Sequence, residues 1–283
     1  MSAVNRPDDI GSGLGVGACD CHVHIYEDRY PLAPTATFKP PHAPVSAYRQ
    51  VQRALGLQRV VLVQPTGYGT DNRCLLEALA QMGADACGMA VVPPDVADAE
   101  LQRLHRAGVR GVRFMLLGAS GVTGPLRWEH LAPMAARTAA LGWTINLQFD
   151  GREMRERKGL IDSLPGRVVI DHIGRFVEPV PVADPAFKAL QAVLDREGRW
   201  VKLSGPYETS KSGPPAYEDV SLLARALAAS HPERCLWASN WPHPNRPTVP
   251  RDADLLMLLD AWAPDEQVRR AILTTNAAAA YEF

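Results

Sequence analysis

Excess charge of either sign is missing from this chain: 30 lysines and arginines face 31 aspartates and glutamates. A nucleic-acid or polyanion binder would carry a basic stripe, so that class is set aside. Apolar runs of membrane-spanning length are absent too, and residues 1–16 hold no apolar core of signal-peptide length. The five cysteines, Cys19, Cys21, Cys74, Cys87 and Cys235, show no metal-type pairing, and their odd number suits a reducing compartment. A cytoplasmic protein with no membrane partner is the expectation. No Gly-x-Gly-x-x-Gly follows a strand, which speaks against a dinucleotide-binding sheet. The tract Gly11-Ser-Gly-Leu-Gly precedes the first apolar run, so residues 1–17 read as a flexible tail.

What is present is an alternation. Short runs rich in Val and Ile predict strands at 18–25, 60–64, 86–92, 110–116, 143–149, 167–172, 200–204 and 234–239. Segments with helical spacing lie between them, at 45–56, 71–82, 97–107, 128–141, 185–197, 217–230 and 252–262, and an amphipathic stretch at 264–281 ends the chain. Eight strands alternating with helices imply parallel pairing through crossovers. With 283 residues and no internal linker, the expected fold is a single-domain (β/α)₈ barrel over residues 18–283.

Barrel enzymes place their chemistry where strands end and βα loops begin. His22 and His24 end the first strand, and their spacing of two turns both side chains to one face. Arg113 and Gln148 end the fourth and fifth strands. Asp171 and His172 end the sixth, with Arg175 just beyond. Lys202 and Ser204 end the seventh, and Asn240, Trp241 and His243 follow the eighth. Any one of these residues is most simply structural; their convergence on one rim marks an active site. His42, His105, His130 and His231 fall in loops or helices and read as surface residues.

The motifs Asp20-Cys-His22-Val-His24, Val169-Ile-Asp-His172-Ile-Gly-Arg175 and Trp237-Ala-Ser-Asn240-Trp-Pro-His243-Pro resemble the amidohydrolase superfamily. With Gln64-Pro-Thr66-Gly-Tyr-Gly-Thr-Asp71-Asn72 and Gly111-Val-Arg113-Phe, they resemble its 2-pyrone-4,6-dicarboxylate lactonase group, which includes sugar-lactone hydrolases and a galactarolactone isomerase. The resemblance implies a lactone hydrolase with His22, His24, His172 and Asn240 as catalytic residues. It further implies Thr66, Phe38, Tyr207, Arg113, Arg175, Gln148, Lys202 and His243 as substrate contacts.

Zinc members of the superfamily add a strand-5 histidine and a strand-8 aspartate to the His-x-His pair. Here those positions are Gln148 and Asn240, and amides are poor zinc ligands. The expectation is a metal-independent enzyme with no cofactor; the alternative is a zinc-dependent amidohydrolase or decarboxylase using His22, His24 and His172. In the resembling lactonases a strand-8 aspartate handles the proton of the attacking water. Asn240 cannot accept a proton at neutral pH, so His172 or His24 becomes the candidate base. Histidine-based hydrolysis or isomerisation, a substrate-trapping variant and a binding-only barrel are the readings this leaves. If the aspartate mechanism survives, Asn240→Asp should raise hydrolysis at least tenfold. Glu208 stands where a substrate-binding arginine is expected and would oppose a second carboxylate. The expected partner is therefore a small carboxylated lactone, monocarboxylated or of the sugar-acid kind, and a homo-oligomer stays open.

Overall fold

The computed structural model describes residues 13–117, 124–246 and 248–283. Most of the expected tail lies outside them. Eight parallel strands run in sequence order: β1 (Cys19–Val23), β2 (Arg59–Val63), β3 (Ala86–Ala90), β4 (Val109–Leu116), β5 (Thr144–Phe149), β6 (Arg167–Ile170), β7 (Arg199–Leu203) and β8 (Cys235–Trp237). The seam between β8 and β1 closes through two backbone bonds, His24 N–H to Trp241 O (2.8 Å) and Asn240 N–H to His22 O (3.0 Å). The expected (β/α)₈ barrel is therefore the observed one, and its closing bonds are made by the backbone of the candidate site.

The helices are α1 (Val45–Ala54), α2 (Arg73–Met82), α3 (Asp98–Arg106), α4 (Leu131–Ala139), α5 (Met154–Ser163), α6 (Pro185–Leu194) and α7 (Glu218–Ser230). The chain ends in α8 (Asp252–Trp262), α9 (Glu266–Leu273) and α10 (Thr275–Tyr281). Local chemistry explains the boundaries. Asp184 accepts from Ala186 N–H at 2.7 Å and Pro185 fills the first turn of α6, a favourable N-terminus. The single segment expected at 264–281 is two helices, because Thr274 adopts a non-helical backbone (φ −123°, ψ −79°) between them. Helix α5 escaped the periodicity argument. Its sequence, MRERKGLIDS, buries only Met154 and Ile161, so too few apolar positions mark its inner face.

Inside the barrel, away from the rim, Cys19, Cys21, Val61, Cys87, Met89, Val169, Trp200, Leu236 and Tyr281 pack together. Gly111 makes this packing possible, since a Cβ there would lie 2.1 Å from Met89 Cε and 2.2 Å from Thr144 O. The C-terminal helices stop this end of the barrel: Asn276 Nδ2 donates to Pro232 O and Cys235 O, both at 2.8 Å, and Thr144 Oγ1 donates to Ala280 O at 2.7 Å. Two histidines expected on the surface are structural instead. His231 is buried between Ser230 and Asp195, and His105 accepts a bond from Trp143 Nε1 at 3.0 Å. No helix among the described residues is long and apolar enough to cross a membrane.

Candidate active site

His22 and His24 project into the barrel mouth as their spacing predicts, and their partners define their tautomers. His24 Nδ1 lies 2.7 Å from Val63 O, which only accepts, so Nδ1 carries the proton and Nε2 keeps a lone pair. His22 Nε2 lies 3.2 Å from that lone pair and donates to it. This leaves His22 Nδ1 to accept from the Lys202 ammonium at 3.0 Å. Lys202 also pairs with Asp171 Oδ1 at 3.0 Å, and Asn146 Nδ2 donates to the same oxygen at 2.7 Å. Every group in this chain is buried. Burial, then the Lys202 charge, pushes the His22 imidazole well down, and burial, then Arg113, does the same to His24. Burial alone would raise the Asp171 carboxyl; Lys202 and His22 outweigh it and hold it well below the usual range.

His172 differs. The chain turns left-handed after β6, with positive φ at His172 (53°), Ile173 (56°), Gly174 (79°) and Arg175 (47°). Such backbone costs of order 1–3 kcal/mol per non-glycine residue and concentrates at functional sites. It carries the His172 ring and the Arg175 guanidinium to the cavity wall. His172 Nδ1 meets Ser204 Oγ at 3.0 Å, and Nε2 has no partner among the described residues. Burial pushes its pKa down to about 4, so the ring is neutral near pH 7.

Asn240, with φ 63°, sits opposite on the loop after β8. Its Nδ2 donates to Tyr207 Oη at 3.0 Å and faces Glu208 Oε1 at 3.4 Å. The carboxylate sets the amide orientation, because a flipped amide would put oxygen against oxygen. Asn240 Oδ1 is thereby left buried and without a partner. Behind it, Asp20 grips the β8 loop through Ser239 N–H (3.0 Å) and Ser239 Oγ (2.6 Å), and Ser239 Oγ accepts from Trp241 N–H (3.0 Å). Burial pushes the Asp20 carboxyl up to about 6 despite these donors.

A cavity of about 250 Å³ opens between these groups. Eight residues expected from the sequence line it: His24, Phe38, Thr66, Arg113, Gln148, His172, Arg175 and Asn240. Four do not. His22 lies behind His24 with both ring nitrogens engaged, and Lys202 is consumed by Asp171 and His22. His243 is held between Tyr207 Oη (2.7 Å) and Asp252 Oδ1 (2.9 Å), and Tyr207 is spent on His243 and Asn240. Lys202, Tyr207 and His243, expected as substrate contacts, thus each meet partners within the protein.

The structure adds Arg246, which follows β8 and lines the cavity with Glu208 and Met115. Its only sequence signal was a cation in a βα loop. Arg113 donates to Gln64 O (3.0 Å) and Gln148 Oε1 (2.6 Å), yet its Nε, 3.9 Å from Asp171 Oδ2, has no hydrogen-bond acceptor among the described residues. Arg175 Nε and Nη1 and Arg246 Nε are also buried without acceptors among the described residues.

A parallel barrel whose rim gathers neutral histidines and guanidiniums with donors to spare around a small cavity is the architecture of a barrel enzyme. The amidohydrolase family profile matches residues 19–283, and the chain belongs to that family. It is 34% identical over 274 residues to the 2-pyrone-4,6-dicarboxylate hydrolase of Comamonas testosteroni, covering 93% of this chain and 89% of that protein. It is 32% identical over 272 residues to the D-galactarolactone isomerase of Agrobacterium fabrum, covering 94% and 91% respectively. An apo crystal structure from Agrobacterium tumefaciens superposes with a TM-score of 0.87 at 32% identity, covering 94% of this chain and 96% of that one.

Proposed function

We propose that this enzyme opens a small carboxylated lactone by metal-independent hydrolysis. The observation that carries the reading is the set of unsatisfied donors around one free imidazole nitrogen. Buried polar groups are otherwise almost always paired, and a carboxylate is an acceptor suited to an unpaired guanidinium nitrogen. The unpaired Nε or Nη1 of Arg175 would donate to the substrate carboxylate. The neutral His172 Nε2 would take a proton from water as the water oxygen adds to the lactone carbonyl carbon. Asn240 Oδ1 would accept the other water hydrogen and hold the nucleophile in place. Arg113 faces the developing oxyanion charge. When the ring C–O bond breaks, the proton on His172 passes to the departing ring oxygen, giving a hydroxy acid and the neutral imidazole again. The relatives, named for a pyrone dicarboxylate and a galactarolactone, support a lactone as substrate.

The fit of the donors to zinc supports the metal-free reading. A metal-bound imidazole keeps a proton on its second nitrogen and donates it to a carboxylate or carbonyl. His24 is so arranged, but His22 Nδ1 meets the Lys202 ammonium at 3.0 Å, nearer than Asp171 Oδ1 at 3.4 Å, and a neutral ring cannot offer lone pairs to Lys202 and a metal at once. Asp171, close to His22 and His172, is already neutralised by Lys202. The residues do not fit zinc. A lactone isomerisation is the second reading. Asn240 favours it, because ring migration needs only a substrate hydroxyl deprotonated by His172, with no carboxylate at the end of β8.

The test is incubation of chelator-treated protein with a panel of carboxylated lactones, followed by proton NMR. An open hydroxy acid supports hydrolysis, and a shifted lactone supports isomerisation. Turnover that appears only after zinc is restored overturns the metal-free reading.

A further inference from the structure

The wall between β7 and β8 holds an arrangement that a substrate-binding role for its arginines does not require. Glu208, in the turn Pro206–Glu208, reaches into the cavity with a side chain only 16% exposed. Its Oε2 lies 3.1 Å from Arg246 Nη2 and 3.5 Å from Arg175 Nη2, while Oε1 faces Asn240 Nδ2. Gly205 makes the approach possible: a Cβ there would meet Glu208 Cγ at 3.2 Å and His172 Nδ1 at 3.1 Å. The carboxylate is thus packed beside the catalytic ring. It bridges two guanidiniums as a bound anion would. Burial opposes its ionisation, but His172, Arg246 and Arg175 outweigh burial and hold the carboxyl below its ordinary range.

We infer that Glu208 is an internal counter-anion occupying the Arg175–Arg246 seat, so that the site selects a lactone with one carboxylate over its dicarboxylate counterpart. The inference rests on the lactone reading above and specifies the substrate class. One carboxylate has a free donor to meet, Nε or Nη1 of Arg175. A second would need another pair of free donors. Arg113 cannot supply one, because its two terminal nitrogens are committed to Gln64 O and Gln148 Oε1. The remaining seat is filled by Glu208, and a like charge brought against it is rejected.

Binding, measured by titration calorimetry independently of turnover, tests this. The probes are γ-butyrolactone-γ-carboxylate and the γ-lactone of isocitrate, which differ by one carboxylate. The wild type should bind the monocarboxylate about tenfold or more tightly than the dicarboxylate. Glu208→Ala, which removes both charge and bulk, should reverse the order, and added acetate should compete with the dicarboxylate in that variant alone. Glu208→Gln, which keeps the size, should narrow the preference and serves if the alanine variant does not fold. An unchanged preference in both variants overturns this inference and leaves the lactone reading standing. A preference that switches as expected, with no turnover of any lactone, overturns the hydrolase reading alone. Binding of neither probe by any of the three proteins overturns both.

Discussion

The two halves of the barrel mouth treat their polar groups in opposite ways. On the β1 side, Val63 O, His24, His22, Lys202 and Asp171 form an unbroken chain in which every ring nitrogen is engaged. On the β6 and β8 side, His172 Nε2, Asn240 Oδ1, Arg175 Nε and Nη1 and Arg246 Nε have no partner among the described residues, and the backbone turns left-handed at His172, Arg175 and Asn240. His22 and His24 form the more recognisable motif, yet the ring nitrogen without a partner among the described residues is on His172. The largest effect that can break this contrast is on turnover. His172→Ala should lower kcat by about 10²–10⁴, the usual worth of a positioned acid–base group, while the melting temperature moves little. Steady-state kinetics beside a thermal melt reads both, and retained activity would place the chemistry back on the β1 side.

The saturated side should answer in stability instead. Lys202→Met leaves the fully buried Asp171 carboxylate without its one ammonium, facing Asn146 Nδ2, His22 Nδ1 at 3.4 Å and Arg113 Nε at 3.9 Å. Breaking one partner of a buried ion pair costs about 3–5 kcal/mol. Denaturant titration measures it, and a loss below about 1 kcal/mol, the scale of an exposed pair, would mean that Asp171 is not sustained by Lys202.

Asn240→Asp sharpens the comparison within the vacant side. The resemblance to aspartate-dependent lactonases led to the expectation of a gain. The structure reverses the sign, because the new carboxylate would face Glu208 Oε1 across the present 3.4 Å contact. Like charges at that distance favour protonation of one partner. The single variant should lose about tenfold in kcat/KM at neutral pH, and Glu208→Gln added to it should recover the loss. A gain in the single variant would restore the aspartate mechanism.

How much of this was legible beforehand follows from the same physics. Alternating apolar runs disclosed all eight strands, because parallel barrel strands are buried on both faces. The rim residues were legible because strand ends are where barrels keep their chemistry. Helix α5 was not, since its buried face is two residues wide. Nor was the division of labour among the histidines, which depends on Val63 O and Lys202, distant in sequence from His22 and His24. Arg246 and the grip of Asp20 on Ser239 were invisible for the same reason: only barrel closure brings β8 against β1.

The smallest effect is also the one that sets the two halves against each other, in the response of stability to acid. A histidine whose folded pKa is depressed contributes stability that is present above its unfolded pKa and lost as pH falls through the folded value. His172, pushed down to about 4, therefore costs stability between about pH 6.5 and 4, and His22 and His24, shifted the same way, add to the loss. Asp20 runs the other way. Its folded pKa of about 6 lies above the ordinary aspartate value, so its contribution is full at low pH and lost as pH rises through 6. Across the same window Asp20 partly cancels the histidines, each displaced pKa unit being worth about 1.4 kcal/mol. Asp20→Asn keeps the bond to Ser239 N–H and removes the titration, so the acid limb of stability against pH should steepen by up to about 1 kcal/mol per unit. Denaturant midpoints of both proteins from pH 4 to 7 decide it. Parallel curves would mean that Asp20 is ionised throughout, held down by Ser239 as firmly as Asp171 is by Lys202.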